Sequence, residues 1–187
     1  MTYLCELAEK YMTDRCPMHG HSYTPYYYEL FKDRREDVRK LLEIGVGGSP
    51  DNRKHNPNYI TGAGLYMWRD FFPRAMIYGV DIRPKLMFRA ERIETFLCDQ
   101  RDTEKMMLVL DATGTDLDIV IDDATHVPED QINTALAILP RLQKGALYII
   151  EDVSKVWIVD SLKDYNPQIV ESWQKTKKDD RLVIMQV

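Results

Sequence analysis

Short runs of aliphatic and β-branched residues alternate along this chain with longer stretches whose apolar positions recur at helical spacing. Runs of the first kind read as strands buried on both faces, and stretches of the second as amphipathic helices packed against a sheet. Val38 to Val46, with Leu41, Leu42 and Ile44, predicts the first strand. Leu65, Trp68, Phe71 and Phe72 predict a helix from Thr61 to Phe72, which Pro73 stops. Ile77 to Asp81 reads as the second strand, followed by a helix starting near Pro84, and Thr95 to Cys98 as the third strand. Asp102 caps a helix carrying Met106, Met107, Val109 and Leu110. The run Ile119, Val120, Ile121 is the fourth strand, and Ile132, Leu136 and Leu139 lie on a long helix that Pro140 must bend or end. Ala146 to Ile150 is the fifth strand. Strand and helix in steady alternation predict a doubly wound α/β sheet of Rossmann-like type.

The two ends of the chain break this rhythm. Gln168 to Trp173 and Arg181 to Val187 are strand-like runs joined by the hydrophilic turn Lys175 to Asp180, which predicts an antiparallel hairpin. At the other end, Leu4, Leu7, Ala8 and Tyr11 form an amphipathic helix, and Tyr26, Tyr27, Tyr28, Leu30 and Phe31 a second. A polar and aromatic connector holding Arg15, His19, His21 and Tyr23 lies between them. The expected organisation is one domain, with a helical extension over residues 1–37 and the Rossmann-like core over 38–187. The extension either covers a binding cleft or packs to shield a sheet edge.

The strand ends carry the candidate chemistry. Four successive strands finish in acids: Asp81, Asp99, the pair Asp122 and Asp123, and the pair Glu151 and Asp152. Parallel strands bring all these ends to one rim, where open α/β sheets bind their ligands. Asp122 or Asp123 alone would suffice to cap the helix announced by Pro128, Glu129 and Asp130. Two acids followed by His126 exceed what a cap needs and point to a functional site. The fourth and fifth strands are expected to be neighbours, so Asp122, Asp123, Glu151 and Asp152 converge and repel one another unless a cation neutralises them. An oxygen-rich set of this kind suits Mg²⁺, with His126 placed to accept the proton of a metal-bound hydroxyl.

The first strand ends instead in Gly45, Gly47 and Gly48, which let the backbone approach a ligand closely. Asp81 stands where an acid accepts hydrogen bonds from ribose hydroxyls. A dinucleotide fingerprint needs a third glycine opening a helix at once, but Pro50 occupies that position and a polar stretch from Asp51 to Asn58 follows. NAD is therefore disfavoured.

Composition narrows the class further. In 187 residues, 25 basic against 30 acidic side chains leave a net charge of -5, which argues against nucleic-acid binding by bulk charge. No apolar run approaches a membrane span, and Met1 to Asp14 lacks a signal-peptide core. Cys5, Cys16 and Cys98 are an odd number with no paired spacing, so a disulfide framework is not expected and a reducing, cytoplasmic setting fits.

The order Leu41-Leu42-Glu43-Ile44-Gly45-Val46-Gly47, Gly79-Val80-Asp81-Ile82, Asp118 to His126 and Tyr148 to Val153 resembles the class I S-adenosylmethionine-dependent methyltransferases. More narrowly, the chain is similar to the Mg²⁺-dependent sugar O-methyltransferases that tailor macrolides and other glycosylated natural products. Glu9 to Arg15 with His21-Ser22-Tyr23, and Gly62 to Pro73, resemble that group's N-terminal signature and first helix. The resemblance implies a seven-stranded sheet with an antiparallel last strand, and S-adenosylmethionine and Mg²⁺ as cofactors. Gly45 and Gly47 would then contact the methionine part of the cofactor, Asp81 the ribose, and Asp99 with Gln100 the adenine, with Glu43 also on the cofactor. Asp122 would lie on the cofactor side or serve as a further ligand. Asp123, Glu151 and Asp152 would hold the metal, His126 would be the general base, and His21 and Tyr23 would meet the acceptor. Departures are Ala124-Thr125 where the group has Gly-Ser, Arg15 for a lysine, and Gly64 and Tyr66 for Ser and Arg. The partner implied is a hydroxylated small molecule, neither nucleic acid nor membrane, and a homo-oligomer is compatible. A phenolic or catechol-like acceptor, or a non-catalytic cofactor-binding module, stays open as an alternative.

Overall fold

The structure, a computed structural model, describes residues 1–18, 20–47, 60–172 and 180–187. His19, the stretch Gly48-Ser49-Pro50 with the polar run to Asn58, and most of the turn from Lys175 lie outside the described residues.

Among the described residues eight strands form one sheet, which is one more than the resemblance implied. They are β1 (Lys40–Ile44), β2 (Met76–Asp81), β3 (Arg89–Ala90), β4 (Ile93–Leu97), β5 (Ile119–Asp122), β6 (Leu147–Ile150), β7 (Gln168–Glu171) and β8 (Arg181–Gln186). Their spatial order is β3-β4-β2-β1-β5-β6-β8-β7. The extra strand corrects the expected helix after Pro84. That proline opens only a 3-10 turn, Pro84–Leu86, and the chain then turns back so that Arg89 and Ala90 pair antiparallel with Glu94 and Ile93. Proline at a first helical position suits a single turn as well as a long helix, so it marked the start without fixing the length. The tail hairpin is as expected: β8 runs antiparallel to both β6 and β7.

β1, β2, β4, β5 and β6 are parallel, and their registers align Ile44 with Val80 and Asp122, Asp81 with Leu97, and Asp122 with Ile150. The strand ends named above therefore emerge side by side. The chain winds outward from β1 through β2 to β4, then returns to β5 on the other side of β1. This reversal is the switch point at which such sheets open a crevice.

Alternate residues of each strand enter two separate apolar clusters. Leu41, Ile119, Ile121 and Ile149 meet α1 (Tyr3–Tyr11), α2 (Thr24–Phe31) and α3 (Ala63–Phe71) on one face. Leu42, Val120, Tyr148 and Ile150 meet α4 (Thr103–Thr113), α5 (Pro128–Ile138) and α6 (Ile158–Ser161) on the other. The N-terminal helices are thus one of the sheet's two covering layers, with Tyr27, Phe31, Trp68 and Phe72 in mutual ring contact.

Asp70 fastens α1 to α3. It accepts hydrogen bonds from Lys10 Nζ at 2.9 Å, Tyr11 Oη at 2.5 Å and its neighbour Arg69. Burial would raise its pKa, but these three donors outweigh burial and lower it to about 2. A carboxylate depressed on folding adds stability above its unfolded pKa, lost as pH falls through the folded value. We expect Asp70→Asn to cost up to about 2 kcal/mol at pH 7. Urea titrations of both proteins should show the gap closing between about pH 4 and pH 2.

Candidate active site

β1 ends at Gly45, where φ is +104° and an added Cβ would lie 2.1 Å from the carbonyl oxygen of Asp123. Only glycine fits so close a crossing. The amide of Asp123 donates to Ile44 O at 2.8 Å, so the ends of β1 and β5 are sewn together at the switch point. Beside them opens a cavity of about 640 Å³, lined by Glu43, Gly45, Gly47, Asp81, Asp99, Gln100, Asp123 and His126 among others. That volume is ordinary for a cofactor site. Asp81 steadies the glycine turn, accepting from Val46 N at 3.1 Å and Arg83 N at 3.0 Å. Asp99 is held by Arg101 at 2.7 Å.

Asp123 and His126, which line the cavity, and the neighbouring Asp152 each present one ligand-type atom, all within 4.8 Å of one another. His126 Nε2 lies 3.2 Å from Asp123 Oδ1, and its Nδ1 lies 3.4 Å from Asp152 Oδ2. The imidazole therefore stands between the two carboxylates. Both His126 and Asp152 have left-handed backbones, with φ of +55° and +53°. Such strain costs about 1–3 kcal/mol per residue and collects at functional sites. Neither Asp122 nor Asp123 caps α5, whose N-cap is Val127 with no side-chain bond. Burial would disfavour the imidazolium, but the hydrogen bond and charge of Asp123, with the charge of Asp152, raise His126 to about 9.

The carboxylates do not depend on an ion alone. Arg15, from the connector between α1 and α2, is 3% exposed and reaches three of them. Its Nε donates to both oxygens of Glu151 at 2.9 Å, Nη1 approaches Glu43 Oε1 at 3.4 Å, and Nη2 donates to Asp123 Oδ2 at 2.7 Å. Tyr27 Oη and Trp68 Nε1 add bonds to Glu151 and Glu43 at 2.6 and 2.7 Å. Burial alone would lower the guanidinium's pKa, but Glu151, Glu43 and Asp123 lift it well above its usual value. Burial pushes Glu43 up to about 7 in spite of Arg15. A Cβ at Gly64 would sit 2.5 Å from Arg15 Nη1, so the glycine at the start of α3 makes room for this ion cluster.

Several expected roles meet different surroundings. Glu151 is buried against Arg15 and Tyr27 and stands apart from the Asp123, His126, Asp152 group. Asp122 is fully buried behind the cavity, where Gln100 Nε2 donates to both its oxygens at 3.2 Å and Tyr148 Oη approaches at 3.4 Å. Burial and the neighbouring Asp123 push it up to about 7. Gln100 spends its amide on Asp122, Thr134 and the Thr125 backbone, tying two rim loops together. His21 and Tyr23, expected to meet the acceptor, are buried with stacked rings 5.0 Å apart and turn to Asp152 and Asp180. Arg15 stands in the sequence only as part of the N-terminal signature and a departure from its lysine, with no role at the site. The signal available was the surplus of acids at the rim, which demands a cation from elsewhere in the chain.

No family model matches the chain. Among curated proteins, the mycinamicin VI 2''-O-methyltransferase of Micromonospora griseorubida is 40% identical over 152 residues, covering 80% of this chain and 36% of the relative. Demethylmacrocin O-methyltransferase of Streptomyces fradiae is 38% identical over 152 residues, with the same coverage of 80% and 36%. The chain thus spans little more than a third of the length of these relatives. Among solved structures, the MycE methyltransferase of the mycinamycin pathway, in complex with Mg, SAH and mycinamycin VI, superposes with a TM-score of 0.77 at 30% identity. That match covers 99% of this chain and 54% of MycE. The chain has the fold of the class I methyltransferases, and the relatives it matches are sugar O-methyltransferases of macrolide and polyketide pathways.

Proposed function

We propose that this chain methylates a hydroxyl of a sugar or sugar-bearing small molecule, using S-adenosylmethionine and a divalent cation such as Mg²⁺, with His126 as general base. The observation that carries this reading is the meeting of Asp123, His126 and Asp152 beside a glycine-lined cavity at the switch point. The two carboxylates fit a hard cation, with positions left for water and substrate oxygens, and the imidazole beside them is left for the proton. When bound, the cofactor supplies an electrophilic methyl group and the cation lowers the pKa of the acceptor hydroxyl.

The remaining work belongs to the chain's own side chains. Gly45 and Gly47 admit the cofactor against bare backbone, and Asp81 and Asp99 offer oxygens to its polar groups from the ends of β2 and β4. Asp123 and Asp152 would hold the cation. His126 would take the proton of the acceptor hydroxyl as that oxygen attacks the methyl group that the cofactor supplies. Asp152, facing Nδ1, orients the ring and stabilises the imidazolium that results. Holding both reactants in line supplies much of the acceleration.

Exhaustive chelation is expected to bring methyl transfer from labelled S-adenosylmethionine to background, and Mg²⁺ to restore it. Undiminished transfer after chelation would overturn the metal-dependent reading.

A further inference from the structure

Each acid of the candidate metal group has one oxygen already engaged by the N-terminal connector. Arg15 Nη2 donates to Oδ2 of Asp123 at 2.7 Å, and Tyr23 Oη donates to Oδ1 of Asp152 at 2.6 Å. The oxygens left facing inward are Asp123 Oδ1 and Asp152 Oδ2, the two that flank the imidazole of His126. From this geometry we infer that Arg15 and Tyr23 are positioning residues for the metal site: each pins one carboxylate oxygen and so presents the other, singly, to a divalent cation. The inference rests on the reading above, in which Asp123 and Asp152 hold that cation.

The pins are themselves anchored. Arg15 is fixed from behind by Glu151 and Glu43, whose oxygens are further held by Tyr27 and Trp68, so its outer nitrogen has little freedom to swing. Tyr23 is 1% exposed, stacked on His21 and packed edge-on against Tyr27 at 6.4 Å. Arg15 and Tyr23 lie 108 and 129 positions away from their carboxylates along the chain. The stretch between α1 and α2 thus completes a site whose ligands sit on β5 and β6. A carboxylate held by a hydrogen bond on one oxygen loses less freedom on binding and keeps its charge directed, which is how supporting contacts tune metal sites.

Two variants separate this role from plain packing. Tyr23→Phe deletes one hydroxyl with no change in ring volume, and Arg15→Lys keeps the charge but loses the fork that spans Glu151 and Asp123. Mn²⁺ serves as the probe, its free concentration followed by electron paramagnetic resonance in titrations of the full chain. S-adenosylhomocysteine affinity is measured in parallel by calorimetry. Each variant is expected to weaken Mn²⁺ binding by about 10–100-fold while the S-adenosylhomocysteine affinity holds. Equal loss of both affinities would mean a merely structural role, and Mn²⁺ affinity equal to wild type in both variants would likewise overturn the inference. Asp123→Asn and Asp152→Asn are run beside them. Mn²⁺ binding that survives these two removes the underlying metal reading. Loss in the Asn variants with none in Tyr23→Phe and Arg15→Lys overturns the pinning role alone.

Discussion

Replacing His126 with asparagine is expected to lower methyl transfer by about 10²–10⁴-fold, with S-adenosylhomocysteine binding retained. Asp123 and Asp152 hold the imidazole up to about 9, and a cation bound by those two acids would offset their charge and free the ring to take the acceptor's proton. Its position is also built for the task, on the turn between β5 and α5 and flanked by an acid at each nitrogen. Asparagine is the apt substitute because it tolerates the left-handed φ of +55° better than most residues, so the loop need not rearrange. It offers an amide of similar size with no useful basicity. Steady-state rates with labelled cofactor, together with calorimetry of S-adenosylhomocysteine, separate the two effects. Turnover close to wild type would remove His126 from the mechanism. Loss of Mn²⁺ affinity along with turnover would make it a ligand rather than a base.

The second large effect is on stability. Arg15→Met should destabilise the protein by about 3–5 kcal/mol, because removing one partner of a buried ion cluster strands the others without compensation. Here Glu151 and Glu43, 1% and 2% exposed, would be left facing one another and Asp123. For a chain of this size the melting temperature should fall by roughly 6–20 °C. Glu43 gives the loss a pH signature. Burial already holds it up to about 7 with Arg15 present, and without the guanidinium it rises further. An acid raised on folding is penalised fully above its folded pKa and not at all below its unfolded one, so the deficit should shrink from pH 8 towards pH 5. Adding Glu43→Gln to Arg15→Met should recover part of the loss. Thermal unfolding of the single and double variants across that pH range checks both statements, and a deficit independent of pH would contradict them.

Particular residues show what the sequence disclosed and what it withheld. The strands that build the rim were legible because Leu41, Leu42, Ile119, Val120, Ile121, Ile149 and Ile150 are apolar on both faces, as two covered sides require. Neighbouring parallel strands were expected to set the ends of β5 and β6 side by side, as the register of Asp122 with Ile150 shows, but of the four acids only Asp123 and Asp152 meet beside His126. Which oxygens meet was not legible. Adjacent acids in sequence point to opposite sides of the backbone, so Asp122 turns to Gln100 while Asp123 turns to His126, and Glu151 turns to Arg15 while Asp152 turns to Tyr23. Asp123, Glu151 and Asp152 lie just past the strand ends, where Asp152 is left-handed, so their directions are set by the local backbone and by partners far away in the chain. Arg15 illustrates the limit, since nothing in its neighbours Asp14 and Cys16 signals contact with a carboxylate 136 positions on. The helix foreseen after Pro84 stops at the 3-10 turn Pro84–Leu86, because the chain turns back within three residues to pair Arg89 and Ala90 with β4, too short a span for a stable helix.

One experiment bears on the whole mechanism at once: crystals of the chain grown with S-adenosylhomocysteine and Mn²⁺, examined by anomalous diffraction. The expected map has a single strong manganese peak between Asp123, His126 and Asp152, with the nucleoside density running past Gly45 and Gly47 towards Asp81 and Asp99. A map with nucleoside in place, no manganese peak, and both acids still bonded to Arg15 and Tyr23 alone would contradict it.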